Sequence, residues 1–387
     1  MPATEIRRAL WLLAAGGFVS GLSIRLAEPL LPKVAHDFEA SVAAASVLIT
    51  GFTLAYGLFQ LVHGPLGDRI GKLRAVVGAL VLAAIASAAC AFAPSLQWLA
   101  GFRFLTGMTA GAVIPLSFAF IGDNVPYERR QMVLAQFISG TLLGQTFGPL
   151  LGGIFSDFIG WRATFLVPAC AFLAIGALLT REARTVPQTI HADAPLNPFT
   201  RFARLLRVRR VRIILGAVAV EGFLFFGAFA YLGAYLRHDF ALSYTLIGLV
   251  LAGFGLGGVA YSMLVRTLVR RLGQRGMVVG GGMLLLVCFG IIAAAPGWGA
   301  MLPFIFLLGL GYYMIHNTLQ THATEMAPDA RGSAVSSFAF CLFLGQAAGV
   351  SVLGLGVEWA GYRGVIAATG VGLALLGFWF GRELRRL

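Results

Sequence analysis

The sequence predicts an all-α polytopic membrane protein, with twelve transmembrane helices arranged as two six-helix bundles. Three observations carry this: an apolar excess, apolar runs of bilayer-crossing length along the whole chain, and an internal repeat. Of the 387 residues, 58% are apolar and 12% charged. A water-soluble domain of that composition lacks the polar side chains to cover its surface. Lipid is the solvent that suits it.

A helix needs roughly 20 apolar residues to cross about 30 Å of hydrocarbon. Such runs lie near 10–32, 44–65, 74–93, 97–121, 132–155, 162–181, 211–236, 243–265, 277–295, 300–322, 333–356 and 363–381. The first is too long for a signal peptide and is followed by eleven more. The basic residues sort by side. Arg7, Arg8, Arg69, Lys72, Arg74, Arg129, Arg130, the run from Arg181 to Arg212, Arg266 to Arg275, Arg331 and Arg382 to Arg386 share one set of alternate connections. Lys33, Arg162, Arg237 and Arg363 occupy the other. The positive-inside rule makes the first side cytoplasmic, and an even number of spans returns both termini to it, in an inner membrane of bacterial type. The net charge of +13 therefore reads as topology, and no nucleic-acid partner is expected. Cys90, Cys170, Cys288 and Cys341 fall within or beside the spans without metal-ligand spacing, so they read as packing residues.

Between Arg181 and Arg212 the spans are interrupted by charge and by Pro187, Pro195 and Pro198. This divides the chain into a first bundle (1–182), a basic cytoplasmic linker (183–210) and a second bundle (211–387). A shift of 202 residues lays Asp123, Pro126 and Arg129 on Glu325, Pro328 and Arg331. A shift of 201 lays Gly144, Gln145 and Gly148 on Gly345, Gln346 and Gly349, and Trp161 and Arg162 on Tyr362 and Arg363. Repeats of this kind imply a solute path at the interface of the two bundles.

Between the second and third spans stand Gly64, Pro65, Leu66, Gly67, Asp68, Arg69, Ile70, Gly71, Lys72, Leu73 and Arg74. The stretch resembles the cytoplasmic loop signature of the major facilitator superfamily. In the second half Gly273 matches Gly71, but Arg270 stands where Asp68 would be. Arg103, Gly107 and Gly111 are similar to the family's basic fourth-span motif. Gly144, Gly148, Pro149, Gly152 and Gly153 resemble the antiporter motif of its twelve-span drug:proton exporters. The resemblance implies alternating access without a cofactor, export of a small molecule driven by protons, and a role for Asp68 in holding the bundles together on the inner side. The glycine stripe also reads as close helix packing, with Pro149 bending the span.

Ionisable residues inside lipid cost about 2.5–3.5 kcal/mol each on insertion scales and call for a partner or a cavity. Away from the span ends these are Glu28, Glu221, Arg25 and Arg103. Arg25 and Glu28 share one helix face, and Arg103 enters from the same side, so the three are expected to cluster. Many drug exporters carry an acid where Arg25 stands, and an arginine there suits an anionic group instead. Glu221 falls near mid-membrane and is the first candidate for proton coupling, with Glu28 and Arg103 as the other. Among uncharged polar residues, Gln60, His63, Gln145, His316, Asn317, Gln320 and Gln346 lie in spans. Of the histidines, His316 is carried as a further coupling candidate. Glu221, Phe225 and Phe229 at spacings of four form a face suited to lining a greasy cavity with one acid.

No zinc-type histidine pair, serine elbow or phosphate-cradling loop is present in the sequence, so enzyme chemistry is not expected. A receptor or scaffold leaves the repeat and the loop motif unexplained. The expected partners are a small-molecule substrate, protons and the bilayer, and one chain supplies both bundles. Proton-coupled uptake or facilitated diffusion of a metabolite remains the alternative to export.

Overall fold

The computed structural model describes residues 3–186, 190, 198–327 and 331–386. Among these residues there are helices and short connections and no strand. In lipid every backbone amide needs an internal partner, and helices supply it within each segment. The first half comprises α1 (Ala3–Arg25), a short turn of helix Glu28–Leu30, α2 (Leu31–Asp37), α3 (Val42–Ala45), α4 (Val47–Ile70), α5 (Lys72–Ala91), α6 (Leu96–Ala110), α7 (Val113–Asn124), α8 (Tyr127–Phe158), α9 (Trp161–Thr164) and α10 (Leu166–Thr185). After α11 (Pro198–Leu205), the second half comprises α12 (Arg209–Glu221), a π-helical turn Gly222–Phe226, α13 (Gly227–Phe240), α14 (Tyr244–Ala294), a short turn Trp298–Met301, α15 (Leu302–Glu325) and α16 (Arg331–Glu383).

Nine helical segments among the described residues are long and apolar enough to cross a bilayer. Two of them contain α14 and α16, of 51 and 53 residues, and each is bent at a glycine of positive φ, Gly273 (62°) and Gly361 (71°). Each is therefore long enough for two crossings. The 32-residue α8, diluted in hydropathy by its Gln, Ser, Thr and Gly residues, supplies another. The helices thus accommodate twelve crossings, at the places where the apolar runs predict them.

The repeat is visible in the backbone. Gly71, at φ 94°, separates α4 from α5 with a single residue, and Gly273 makes the equivalent bend in α14. Gly160 and Gly361 are the corresponding pair at the opposite ends of the helices. A left-handed φ without Cβ strain is what lets one residue reverse the chain.

Part of the linker, 187–189 and 191–197 with Pro187 and Pro195, lies outside the described residues, as does Pro328. The remainder holds α11, which the apolar pattern does not announce because eight residues are too few for a span. Its Phe202 and Leu205 pack on the second half's core, with the Phe202 ring 5.1 Å from that of Phe340.

One apolar core is drawn from Val211 to Phe380 and another from Ala9 to Val186. A third joins the halves near Asp157, where Leu26, Leu30 and Trp161 meet Ala230, Tyr231 and Val350. The contact there is backbone to backbone. A Cβ on Gly153 would lie 2.0 Å from the Tyr244 carbonyl oxygen, and one on Gly248 2.3 Å from that of Pro149. Asp157 accepts hydrogen bonds from the amide and hydroxyl of Thr245, both at 2.7 Å, capping the start of α14. An acid at a helix N-terminus is the favourable sign of charge.

Candidate functional site

Between the halves lies a cavity of about 520 Å³. Its walls come from α1, α7 and α8 on one side and from the π-helical turn, α14, α15 and α16 on the other. It extends from mid-helix toward the Asp68 end, whereas the contacts around Asp157 shut the opposite end. Gln145, Asn317, Gln320 and Gln346, chosen from the sequence as polar residues in apolar spans, all line it. Tyr261, Tyr312, Tyr313 and Thr146 line it too and were missed. The available signal was spacing, since Tyr312 and Tyr313 stand four residues before His316 and Asn317 on one helix.

Glu221 is fully buried at the end of α12 and does not itself line the cavity. Its Oε2 lies 2.8 Å from His316 Nδ1, and that nitrogen is also 3.0 Å from the Tyr312 hydroxyl. Its Oε1 has no hydrogen-bond partner. His316 does line the cavity, so the acid stands behind the imidazole as seen from the open space. The pairing could not be read from sequence because 95 residues separate the partners.

Arg25 and Glu28 make a buried ion pair, Nη1 to Oε1 at 2.5 Å. Arg25 lines the cavity and its guanidinium carbon sits 4.1 Å over the Phe226 ring and 5.3 Å from that of Phe229, across the interface between halves. Such stacking is worth about 0.5–2 kcal/mol. Arg103 does not join this pair as expected. It donates from Nε to the Leu48 carbonyl at 3.0 Å and from Nη2 to the Ser23 carbonyl at 3.2 Å, and lies 4.2 Å over Phe52. Backbone carbonyls of α4 and α1 reach it first, so it ties three helices of the first half together. His63 likewise turns inward, donating to the Met108 carbonyl at 2.9 Å, and Gln60 donates to the Gly111 carbonyl at 3.2 Å.

Phe225 and Phe229 are buried inside the second half and do not line the cavity; Phe226 does. The π-helical turn is the reason. It inserts one extra residue per turn, so a spacing of four no longer marks one face across Gly222–Phe226, and Phe226 instead of Phe225 reaches the cavity wall. Phe225 instead packs its ring 4.6 Å from Tyr312 and 5.8 Å from Phe289.

The sequence matches the family model described as Major Facilitator Superfamily over residues 13–350, and again over 232–386. The chain belongs to the major facilitator superfamily. It is similar to an uncharacterized MFS-type transporter of Bacillus subtilis, YwfA, at 27% identity over 95% of this chain and 89% of that one. It is also similar to the multi-drug resistance efflux pump PmrA of Streptococcus pneumoniae, at 25% identity over 93% of this chain and 92% of that one. In fold it is similar to a bacterial homolog of the human lysosomal transporter Spinster, solved inward-facing and unoccupied. That likeness has a TM-score of 0.81 at 16% identity and covers 100% of this chain and 98% of the other. The chain is thus a multi-pass membrane transporter and not an enzyme.

In this facilitator the fifth-span glycines form a contact surface. A Cβ on Gly144 would come within 2.0 Å of the Phe18 carbonyl oxygen, on Gly148 within 2.8 Å of that of Leu22, and on Gly152 within 2.2 Å of that of Leu26. The stripe lets α8 and α1 touch along their backbones, and Pro149 sits within it. The second half repeats the device, with Gly345 and Gly349 against Ala219 and Phe223. In the loop motif, Lys72 bridges Asp123, and Asp68 lies 3.6 Å from the same ammonium. A Cβ on Gly67 would meet Leu116 at 2.3 Å, whereas Gly64 faces open space. Arg69 and Arg74 flank this cluster in sequence, and Arg129 lies in α8's first turn. Lys72 thereby joins α5 to α7.

Proposed function

We propose that this facilitator is a proton-coupled secondary transporter that moves a small organic or amphipathic solute across a bacterial-type inner membrane by alternating access. The carrying observation is one cavity walled by both halves, shut near Asp157, with Glu221 held behind the cavity-facing His316. Rocking of the first bundle (1–182) against the second (211–387) about this cavity, with 183–210 as the connection, exposes it to each side in turn. One chain contains both bodies, so a monomer suffices. Export in exchange for protons is supported by the likeness to a multi-drug efflux pump and by the glycine stripe. Proton-coupled uptake or facilitated diffusion of a metabolite is the second reading, favoured by Arg25 on the cavity wall.

Two measurements test this. In proteoliposomes, an imposed pH gradient is expected to drive net movement of a panel of amphipathic solutes, and collapse of the gradient by an ionophore is expected to stop it. Absence of any gradient-dependent movement would remove proton coupling. In this reading the Asp68 end is cytoplasmic, which the excess of basic residues on that side supports. On a Cys170→Ser background, cysteines introduced near Asp37, Asp157 and Asp239 are expected to react with an impermeant thiol reagent on intact cells, and those near Asp123 and Arg204 to be protected. The reverse pattern would invert the orientation.

A further inference from the structure

The cavity has a consistent electrical polarity. Each half contributes one acid–base pair to its wall, Arg25 with Glu28 and His316 with Glu221, and in both the basic member faces the cavity. Neither Glu28 nor Glu221 is on the lining, and among the described lining residues there is no Asp or Glu at all. A cation entering this space meets a guanidinium and no carboxylate.

Arg25 is also incompletely used. Its side chain is 3% exposed, yet one Glu28 oxygen takes one of its five N–H donors, and Nε has no partner. Buried donors left unfilled are rare and call for a ligand or a water. Around Arg25, the amides of Gln145 and Gln346 supply neutral hydrogen-bonding groups, and the rings of Phe226, Phe254 and Tyr312 supply apolar surface.

We propose that the cavity binds an organic anion, a carboxylate or sulfonate carried on an aromatic or other apolar body, with the anionic group at Arg25. The guanidinium fork suits a planar two-oxygen acceptor. The aromatic wall takes the body, and because Arg25 belongs to the first half and the rings largely to the second, the ligand spans the surface along which the halves move. This rests on the cavity being the transport site and not on the direction of transport or its coupling to protons.

The test uses the purified full chain and three size-matched probes, 2-naphthoate, 2-naphthamide and 2-naphthylmethylammonium, with binding read by calorimetry. Naphthoate is expected to bind about tenfold or more tightly than the other two, as a charge-assisted hydrogen bond to a buried cation implies. Arg25→Gln is expected to abolish the preference, so that in the variant naphthoate binds no more tightly than naphthamide does. Should that variant not fold, Arg25→Lys is read instead, with an intermediate loss expected because the charge remains and the fork is gone. The proposal is overturned if the ammonium binds as tightly as naphthoate, if the preference survives in the folded variant, or if none of the three binds. Failure of pH-driven transport alongside intact naphthoate selectivity would remove proton coupling and leave this site standing.

Discussion

The Glu221→Gln variant is expected to reach the membrane folded and to lose pH-driven transport, down to the level of protein-free liposomes. Glutamine keeps the shape of the side chain and its hydrogen bond toward His316 Nδ1, 2.8 Å away in the wild type, but cannot take up or release a proton. Substrate exchange without a gradient needs only binding and rocking, and is expected to survive. His316→Gln is expected to share the phenotype, because the imidazole is the group through which the buried acid meets the cavity. A Glu221→Gln protein that still concentrates substrate, with the wild-type pH dependence, would move the coupling role to Glu28. The sign of the pH effect carries further information. An added proton on the Glu221–His316 pair raises the positive charge on the cavity wall, beside Arg25 and the phenols of Tyr261, Tyr312 and Tyr313. A bound anion would therefore be held more tightly and cross with the proton, whereas a cation would be displaced by it.

The second large effect is structural. Gly144→Ala is expected to lower the melting temperature and the folded yield sharply, since the new methyl carbon would stand 2.0 Å from the Phe18 carbonyl oxygen and 3.0 Å from the Leu22 amide nitrogen. Backbone atoms cannot rotate aside, so α1 and α8 must separate along their length; overpacking of this kind costs about 1–3 kcal/mol or more. Gly290→Ala is the matched control. It lies inside α14 with nothing within 4 Å of the added carbon, and a helical Gly→Ala change there is expected to be neutral or to stabilise by about 0.5–1 kcal/mol. Equal melting temperatures for the two variants would show that the stripe is not a packing surface.

The span pattern was legible because lipid imposes a simple rule of length and polarity. The helices α4, α5, α6–α7 and α15 lie where their apolar runs predict them. The glycines of the fifth span were legible as a stripe for a related reason, as their spacing alone puts them on one face. Polar residues in apolar spans are expensive enough to mark the cavity, which is why Gln145, Asn317, Gln320 and Gln346 were found. What was hidden depends on helix register and on partners distant in sequence. Nothing in Gly222–Phe226 announces a π-helical turn, so the face through Phe225 and Phe229 was drawn one residue out of register. The preference of Arg103 for the carbonyls of Leu48 and Ser23 over Glu28 depends on how three helices are rotated about their axes. Spacing within one helix does not encode that.

The glycine bends at Gly71, Gly160, Gly273 and Gly361 have a mechanical meaning. Each reverses the chain within one or two residues, leaving no slack between the helices it joins. Two spans tethered so tightly cannot slide or part at that end, so each hairpin must swing as a stiff lever. In the proposed rocking, the give is expected from longer connections, such as the one after Asp37. Lengthening one tight bend by a few flexible residues would uncouple the two arms of that lever, with every cavity residue still in place.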